Sequence, residues 1–551
     1  MGIISEKVKQ DHYDYRVNLN RYLNKEIDDA GFRAIRVQFG IYEERNNFGF
    51  MIRAKINSGI LTPKQFKKIV ELAKKYSHGE IHFTTRQDIQ FHQTKLENSA
   101  DIVEELFEAG IVTRGSGGNT PRNISLSLFA GVDKEEPFDV TPYALEASEY
   151  LAEDEINYHL PRKYKIAFSN SNSDTAYAKI SDLGFIPVVK NGEKGFKVYV
   201  AGGLGNSSSP SIKVEDFISA DNYIYYVKGL RDLFHNHGDR ANKARARIRH
   251  ILQKVGEEEF RKLLAQYVGD AEKAGIPYSN RESLEYITAE GKSEYILERD
   301  IVESKIKNRY SIHFHNINGN TEVTDIEEVL KLIDGLDYTP SIRLTNSQGF
   351  YVREIDGKDI EKFKAVKKKR FTNDTIDRIV ACTGASTCKL GLCFSQMLSK
   401  AITERFLTER DEVRNALYGI HISGCPNSCG QHHIGKIGFF GKAKRVGENL
   451  VPFYAIVVNG SLAGETAKLA EQIGEIPAKS VPNFLVEVAE KKIANGEKDL
   501  EKYLLNNRDE LKNLIEKWAK VPKIEENPDY YSDFGQNEHF SLKGRGPGEE
   551  Y

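Results

Sequence analysis

The chain has 551 residues, more than one hydrophobic core usually organises, so we expect several domains. Hydrophobic residues make up 40% and charged residues 29%, and the formal net charge of −2 indicates neither a specific nucleic-acid binder nor a membrane-surface protein. No apolar run is long enough to span a bilayer, and no apolar signal region follows the first residue, so the sequence predicts a cytoplasmic protein.

The first predicted unit is a strand, a helix and a strand pair. The strand is FGFMIRAKIN (48–57), the helix is TPKQFKKIVELAKKY (62–76), and the pair lies within EIHFTTRQDIQFHQ (80–93). In the helix, apolar residues recur every three or four positions, namely Phe66, Ile69, Val70 and Ala73. The same order returns in residues 309–354, so the sequence predicts a duplicated unit.

A constant offset of 261 residues aligns the two copies sparsely. It pairs Ile81 with Ile342, Thr84 with Thr345, and Gln87 with Gln348. At the same offset, Arg53 is opposite Phe314 and Arg86 is opposite Ser347. Because a purely architectural repeat does not need this difference, basic residues confined to one copy indicate a functional asymmetry.

Four further stretches stand between and after the copies. A glycine-rich turn, GSGGNTPRNISLS, occupies 115–127, and LPRKYKIAFS (160–169) and GFKVYVAGGLG (195–205) follow it. The glycines of the last stretch lack the full G-x-G-x-x-G of a dinucleotide site, so the chain shows no nicotinamide-binding or flavin-binding motif. The end, from 526 onward, is polar and turn-rich, which predicts an extended arm or a disordered tail.

All five cysteines lie between residues 382 and 429. Their spacing is C-x5-C, C-x4-C, a gap of 31 residues, and C-x3-C. A structural zinc site favours tighter pairs, whereas a [4Fe–4S] cluster takes one thiolate per iron and tolerates wider loops. The spacing thus favours a cluster, and a zinc site or ordinary buried thiols remain as alternatives. Cys393 is interpreted as a small buried side chain. His432 and His433 are interpreted as packed or hydrogen-bonding residues rather than metal ligands.

Basic residues outside the cysteine region fall in apparent strands or beside the glycine turn. Two of them, Lys163 and Lys165, are two positions apart and so share one side of a strand. Converging cations suit a small anion or a ligand with many carboxylates, and the alternative is a set of unrelated surface charges. The residues in question are Arg53, Arg86, Arg122, Arg162, Lys163 and Lys165.

Together these motifs resemble the sirohaem-dependent sulfite and nitrite reductases. The resemblance rests on ACTGASTCKLGLC and GCPNSCGQH around the cysteines, and on MIRAKINSG, TTRQDIQFH, GGNTPRNI, LPRKYK and GFKVYVAGGLG before them, in the family's order. It covers about residues 30–500 and not the arm beyond about 520. It implies an α/β (α+β) fold in which duplicated ferredoxin-like halves form a pseudo-twofold unit beside two larger lobes.

The resemblance also implies domain boundaries, cofactors and residue roles. We expect an arm and first half at 1–130, a first lobe at 131–300, a second half at 301–370, a cluster lobe at 371–520 and a polar arm at 521–551. The implied [4Fe–4S] ligands are Cys382, Cys388, Cys425 and Cys429, with Cys429 also axial to the sirohaem iron. The implied substrate cations are Arg53, Arg122, Lys163 and Lys165, and the implied sirohaem contacts are Arg86, Gln90, His92, Arg162, Asn427 and Cys429.

Within that family, the Lys-x-Lys of LPRKYK resembles the sulfite-reducing branch, since nitrite reductases tend to replace the second lysine with a neutral residue. Sulfite can carry two negative charges and nitrite one, so Lys165 predicts sulfite reduction to sulfide, with nitrite reduction to ammonia as the alternative. Electrons must come from another protein, for which ferredoxin or a separate flavoprotein is expected. A non-enzymatic iron–sulfur or zinc-stabilised binding protein is the rival class.

Overall fold

The computed structural model of the chain describes residues 6–276 and 287–546, except for the side chain of Asn46. Residues 277–286 of the expected first lobe and 547–551 of the expected arm lie outside the described residues. Within the described ranges, no helix is long and apolar enough to cross a membrane.

The strands form four five-stranded sheets. In chain order the strands are β1 (Ile41–Glu43), β2 (Phe50–Ala54), β3 (Ile60–Leu61), β4 (Glu80–Phe83), β5 (Ile89–Thr94), β6 (Ser125–Leu126), β7 (Ile166–Phe168), β8 (Leu183–Lys190), β9 (Glu193–Val200), β10 (Ile212–Ser219), β11 (Ile301–Glu303), β12 (Arg309–His315), β13 (Asn320–Glu322), β14 (Ser341–Leu344), β15 (Gly349–Asp356), β16 (Val380–Ala381), β17 (Ile420–Ser423), β18 (Ile437–Val446), β19 (Asn449–Val458) and β20 (Glu471–Pro477).

The helices alternate with these strands. They are α1 (Glu6–Leu23), α2 (Asp29–Arg36), α3 (Pro63–Tyr76), α4 (Ser99–Glu108), α5 (Thr141–Glu153), α6 (Tyr223–His237), α7 (Ile248–Val255), α8 (Glu257–Ala274), α9 (Val323–Asp334), α10 (Ile360–Arg370), α11 (Ser395–Phe406), α12 (Asp411–Arg414), α13 (Val481–Asn495), α14 (Leu500–Asn506) and α15 (Arg508–Trp518). The chain is therefore a mixed α/β protein, as predicted.

The predicted helix of the first unit has clear local causes. Thr62 and Gln65 form a reciprocal capping box, and Pro63 occupies the first turn, where its missing N–H costs nothing. All four apolar residues named from the periodicity are buried. The helix packs on the strands of its own unit because one face is apolar.

The two ferredoxin-like halves exchange a short strand. The sheet of the first half has the order β1-β2-β5-β4-β13, and that of the second half has the order β11-β12-β15-β14-β3. Each half thus receives its fifth strand from the other, and one hydrophobic core runs through both. This reciprocity is the pseudo-twofold unit that the sequence predicts.

The repeat extends beyond the halves into the lobes. The first-lobe sheet has the order β10-β9-β8-β7-β6 and the second-lobe sheet the order β16-β17-β18-β19-β20, each with two parallel and two antiparallel pairings. Each lobe has its own apolar core. We propose to keep the expected boundaries at 130, 300, 370 and 520, and three short strands cross them: β3 and β13 are exchanged between the halves, and β6 of the first-lobe sheet lies just before 130.

The strand register corrects one pairing from the sequence. Arg53 is opposite Gln90 in the first half, and His313 is opposite Tyr351 in the second. The counterpart of Arg53 is therefore His313, not Phe314, because the offset is 260 residues before the helix and 261 after it. The second half has one extra residue between strands β13 and β14.

Candidate functional site

The cysteines follow the ends of two neighbouring parallel strands. Strand β16 pairs in parallel with β17, and Ala381 is opposite Ile422. Cys382 comes directly after β16, and Cys425 comes two residues after β17. Since parallel strands end at the same sheet edge, the two cysteine motifs, residues 382–393 and 424–429, meet there.

Backbone amides are aimed at the sulfur atoms. The Gly424 N–H donates to Cys382 Sγ at 3.2 Å, and a second amide, that of Gly384, also reaches this sulfur. Cys388 receives the amides of Leu390 and Gly391, and Cys425 receives the amide of Asn427. Such donors stabilise negative sulfur, which fits thiolates bound to a cluster better than neutral thiols.

The four expected ligands are close enough to affect one another's charge. Burial and the neighbouring Cys429 thiolate together raise the pKa of the Cys388 thiol to about 12. Burial and Cys429 also raise the pKa of Cys382 and of Cys425. Four neighbouring thiolates would repel one another, so this set fits a multiply charged metal centre.

The geometry of the four thiols differs from a site for a single ion. Among the described residues, no three His, Cys, Asp or Glu side chains converge as they would on one metal ion. A [4Fe–4S] cluster instead takes each thiolate at a separate corner, so its ligands need not converge on one point.

The fifth cysteine and the two histidines lie in packed surroundings. Cys393 is fully buried, and its thiol faces the carbonyls of Lys442 at 3.5 Å and Phe453 at 3.8 Å. His432 Nδ1 is 2.9 Å from Ser423 Oγ, and its ring stacks on Phe440. The structure thus places these residues as the sequence predicts, as packing and hydrogen-bonding groups.

Arg53 lies on strand β2 and is held from two sides. It donates to the Ser116 carbonyl at 2.7 Å, in the glycine-rich turn. With the Gln90 amide oriented to satisfy both groups, the Gln90 oxygen accepts from Arg53 at 2.9 and 3.2 Å. The cross-strand pair and the glycine turn therefore fix one guanidinium of the predicted set.

Arg86 lies in the hairpin between β4 and β5 and joins the first lobe to this half. It donates to the Ile166 carbonyl at 2.8 Å, directly after Lys165. Burial lowers the pKa of Arg86 to about 10, and its Nε has no hydrogen-bond partner among the described residues. A buried guanidinium with a free donor needs an anionic partner.

Lys165 interacts electrostatically with both the basic residues and Cys429. Burial lowers its pKa well below the usual value, the nearby charges of Arg86, Lys163 and Arg247 lower it further, and Cys429 raises it. The hairpin of Arg86 also contacts the second motif, because Thr85 Oγ1 donates to the Cys429 carbonyl at 3.1 Å. Basic residues from the first lobe and a cysteine from the second lobe therefore meet at one place.

Arg122 is positioned by the parallel edge of the first lobe. Its N–H donates to the Tyr164 carbonyl at 2.8 Å, and its side chain donates to Thr120 Oγ1 at 3.1 Å. This bond places Arg122 beside the segment that carries Lys163 and Lys165. Two basic positions predicted to contact sirohaem remain. Arg162, in the first lobe, donates to the Lys243 carbonyl at 2.5 Å, whereas His92, in the first half, is directed at Glu44, to which its Nδ1 hydrogen-bonds.

Sequence analysis missed several charged residues of this site. Lys55 is two positions from Arg53, directly after the end of β2, is partly buried, and interacts with Asp88 and Arg122. Asp88 is the carboxylate among these cations: burial raises its pKa to about 6, and Arg53, Lys55 and Arg86 oppose that shift. The two-residue spacing from Arg53 is the sequence signal that points to Lys55.

Two more arginines come from the basic stretch at the start of α7, Arg247 just before the helix and Arg249 in its first turn. Arg247 forms an ion pair with Asp182 at 2.8 Å, and both side chains are buried. Arg249 is also buried, and its Nε and one terminal nitrogen have no hydrogen-bond partner among the described residues. Gly203 and Gly205 leave room for this guanidinium, since a Cβ at Gly203 would lie 2.8 Å from it.

These residues fit the two cofactors that the resemblance implies. Unpartnered donors on Arg86 and Arg249 suit the carboxylates of sirohaem. Amide-lined thiols suit a [4Fe–4S] cluster. The arrangement can hold a carboxylate-rich macrocycle next to a metal cluster and keep a small anion among cations.

Comparisons with known proteins support the same assignment. A model described as "Nitrite/Sulfite reductase ferredoxin-like half domain" matches residues 42–109, and one described as "Nitrite and sulphite reductase 4Fe-4S domain" matches residues 117–271. The second match falls on the first lobe, whose sheet order the cysteine-bearing lobe repeats.

The sequence is similar to known reductases over most of its length. An assimilatory ferredoxin-dependent nitrite reductase from Haloferax mediterranei is 30% identical over 481 residues, covering 82% of this chain and 81% of its own. A ferredoxin–nitrite reductase from Synechococcus elongatus is 27% identical, over 84% of this chain and 90% of its own. A sulfite reductase [NADPH] hemoprotein beta-component from Nitrobacter winogradskyi is 25% identical, over 79% and 82%.

A solved structure has the same fold. The Mycobacterium tuberculosis NirA protein superposes with a TM-score of 0.75 at 20% identity, covering 90% of this chain and 95% of its own. With the fold, the cysteine motifs and the identity to full-length relatives in agreement, the chain belongs to the nitrite and sulfite reductase family, whose members depend on sirohaem and a [4Fe–4S] cluster.

Proposed function

We propose that the chain reduces nitrite to ammonia with six electrons from an external donor. The observation that carries the proposal is the contact of the Arg86 hairpin with both lobes, at the Cys429 carbonyl and at the Ile166 carbonyl beside Lys165, because it brings basic residues to the expected metal centre. Nitrite is preferred over the sulfite predicted from the sequence, since relatives spanning four-fifths of the chain or more are named nitrite reductases.

The residue roles follow the chemistry of each group. Cys382, Cys388, Cys425 and Cys429 would hold the [4Fe–4S] cluster, and Cys429 would also bind sirohaem. Arg53, Arg122, Lys163 and Lys165 would surround the substrate anion. Arg86, Gln90, Arg162 and Asn427 would hold sirohaem, and the unpartnered donors of Arg249 support a role for it as a further carboxylate partner. His92 is less suited to contact sirohaem, because its imidazole already hydrogen-bonds to Glu44.

The protein's contribution is electrostatic. When bound, the sirohaem and the cluster supply electrons one at a time, so partly reduced nitrogen need not leave the site. The lysines and arginines are fixed in place before the anion arrives, so they stabilise negative charge on its oxygens without reorganising. Ammonium side chains at Lys163 and Lys165 can also donate protons to departing oxygen atoms.

Sulfite is the second candidate, and Lys165 favours it. A second buried lysine adds a positive charge that a dianion uses better than a monoanion does. Ferredoxin is the proposed donor, since relatives carry it in their names, and a separate flavoprotein is the alternative because another relative is an NADPH-linked hemoprotein component.

A spectrum and two rates test the proposal. Purified protein should show chlorin-like red and near-ultraviolet absorption and should contain iron and acid-labile sulfide. Steady-state rates with reduced ferredoxin, compared on nitrite and sulfite, should give a higher kcat/KM for nitrite. Colourless protein that contains zinc would contradict the family's cofactors in this chain, and a higher kcat/KM for sulfite would return the assignment to the second candidate.

A further inference from the structure

The carboxyl-terminal arm, defined here as residues 520–546, is packed against the cysteine-bearing lobe. Val521, Ile524 and Tyr531 pack with Val451 and Phe453 of strand β19. Farther along, Phe540 is buried in the core of the lobe. The described part of the arm is therefore an ordered strap rather than a disordered tail.

The strap reaches the first cysteine motif at its far end. The Gly546 N–H donates to the carbonyl of Lys389, the residue after Cys388, at 3.0 Å. Arg45, from the first half, donates to the Lys543 carbonyl of the strap at 2.6 Å and to the Gly391 carbonyl of the motif at 3.3 Å. The strap and the first half therefore hold this motif from two sides.

In the middle of the strap, a carboxylate is buried against the same lobe. The Asp533 side chain accepts from the Phe394 N–H at 3.0 Å and from the Phe534 N–H at 2.8 Å. Asp533 is 1% exposed, and the Cys393 thiol lies beside its carboxyl group. Burying a carboxylate is costly, so these donors are needed to offset the lost hydration.

Asp533 contacts Cys393 and Phe394. They belong to residues 392–395, the last two residues of the first cysteine motif and the two that follow it, which we call the tie segment because it hydrogen-bonds to both motifs. The N–H groups of Leu392 and Cys393 donate to the Gly424 carbonyl of the second motif at 3.0 and 2.9 Å. The Cys393 carbonyl accepts from Ala385 in the first motif, and Ser395 Oγ donates to the Cys382 carbonyl at 2.7 Å.

We propose that Asp533 is a positioning residue for the [4Fe–4S] site: it anchors the tie segment, and through it fixes the distance between the two cysteine motifs. The inference rests on the proposed function, in which these motifs hold the cluster. Under this proposal, the buried Cys393 helps to hold the two motifs together without binding metal. The strap, which carries Asp533, stabilises the cluster site.

The test is Asp533→Asn in the full chain with its cofactors bound. The asparagine NH₂ would face one of the two N–H donors, so one of the two hydrogen bonds is replaced by a clash of donors. We expect iron release to a chelator to be about tenfold faster or more, the scale seen when outer ligand partners are lost. At a pH above 7, where the carboxyl is ionised, the midpoint potential of the cluster should also become more positive, because a nearby negative charge is removed.

Asp529→Asn is the matched control. It makes the same charge change on the same strap, but Asp529 is exposed and pairs with Lys479 at 3.0 Å. Its iron release and midpoint potential should equal those of the wild type. Equal release rates and potentials in Asp533→Asn and wild type would overturn the inference.

Hydrogen–deuterium exchange of the wild-type protein tests the same idea without any substitution. Peptides covering 390–397 and 528–540 should lose protection together. Full exchange of 528–540 while 390–397 stays protected would overturn the inference. The ligand assignment is tested separately. If the wild-type protein contains a cluster and Cys429→Ser loses it, the proposed ligand set stands even when Asp533→Asn behaves like the wild type, so failure of one idea is distinguishable from failure of the other.

Discussion

At the residue scale, basic side chains from the first half and the first lobe gather at the site. Asp88 and Asp182 interact with these cations, and Arg247 pairs with Asp182. Burial lowers the pKa of Arg86 and of Lys165, neighbouring positive charges lower both further, and an entering anion would relieve this repulsion. The group of positive charges, rather than any one side chain, favours anion binding here.

Cys429 should be the least replaceable cysteine, because it is proposed to serve both cofactors. We expect Cys429→Ser to lose the chlorin-like absorption of the coupled centre and to lower activity roughly 100-fold or more. Absorption spectra and iron content measure this. Cys393→Ser is the control and should keep its iron, since a hydroxyl can still donate to the Lys442 carbonyl; equal iron loss in both variants would contradict the ligand assignment.

Lys165 should decide between the two anions. We expect Lys165→Asn to lower kcat/KM about tenfold more for sulfite than for nitrite, because one buried charge contributes more to a dianion. Steady-state rates on both substrates measure this, with the exposed Lys254→Asn as control. Equal losses on both anions would remove the reason to keep sulfite as a candidate.

Asp88 should make anion binding depend on pH. Burial raises the pKa of Asp88 to about 6, so protonation below that pH removes a negative charge from among Arg53, Lys55 and Arg86. Nitrite affinity, measured by absorption titration, should therefore rise roughly tenfold as the pH falls through 6. Asp88→Asn should bind nitrite tightly both above and below pH 6. If the affinity of this variant still changes as the pH falls through 6, the pH dependence belongs to another group.

At the scale of elements, two equivalent glutamines attach each half to its lobe. Gln87 accepts from the Leu126 N–H and donates to the Leu126 carbonyl, which fixes β6. Gln348 makes the same pair of bonds with Ala381 of β16, directly before Cys382. Both have positive φ, 58° and 65°, in the turn between two strands, so each hairpin directs its side chain at the next sheet.

Gln348→Leu should therefore destabilise the lobe that carries the cysteines. It leaves the Ala381 N–H and carbonyl buried without partners, which should lower the free energy of unfolding by about 2–4 kcal/mol. Thermal melting followed by circular dichroism measures the change. Gln472→Leu, at an exposed glutamine on β20, should leave the melting temperature nearly unchanged, and a similar fall in both would contradict the anchoring role.

At the scale of the whole molecule, the two halves share one fold, but the basic residues Arg53 and Lys55 occur in only one of them. The counterparts of Arg53 and Lys55 are His313 and His315, both buried. Burial lowers the pKa of His315 to about 3 and that of His313 well below the usual value, so both are neutral near pH 7. The pseudo-twofold partner of the anion site therefore lacks these two positive charges.

A pair of equivalent substitutions tests this asymmetry. Arg53→Ala should weaken nitrite binding about tenfold or more, because it removes a positive charge from the site. His313→Ala, at the pseudo-symmetric position, should leave the affinity within about twofold of wild type. Calorimetric titration with nitrite should give one site per chain, and comparable weakening in both variants would contradict a single charged site.

Sequence analysis predicted the features that local patterns encode. The helix from 63 to 76, the duplicated halves and the burial of Cys393 follow from apolar periodicity, turn residues and spacing. It placed Arg53 against the wrong counterpart, because a single inserted residue shifts the register of a strand and a constant offset cannot detect it. It missed Lys55, Asp88 and Arg249, since their importance comes from burial.

The sequence by itself determined the chemical inventory: five cysteines in one window, basic residues in one half, and motifs of one reductase family. Only the tertiary structure decided which of these residues meet. Lys165 and Cys429 are in different lobes, and Asp533 and Phe394 lie 139 residues apart. Periodicity and spacing report contacts within one element, whereas contacts across sheets depend on chain reversals that a local pattern does not contain.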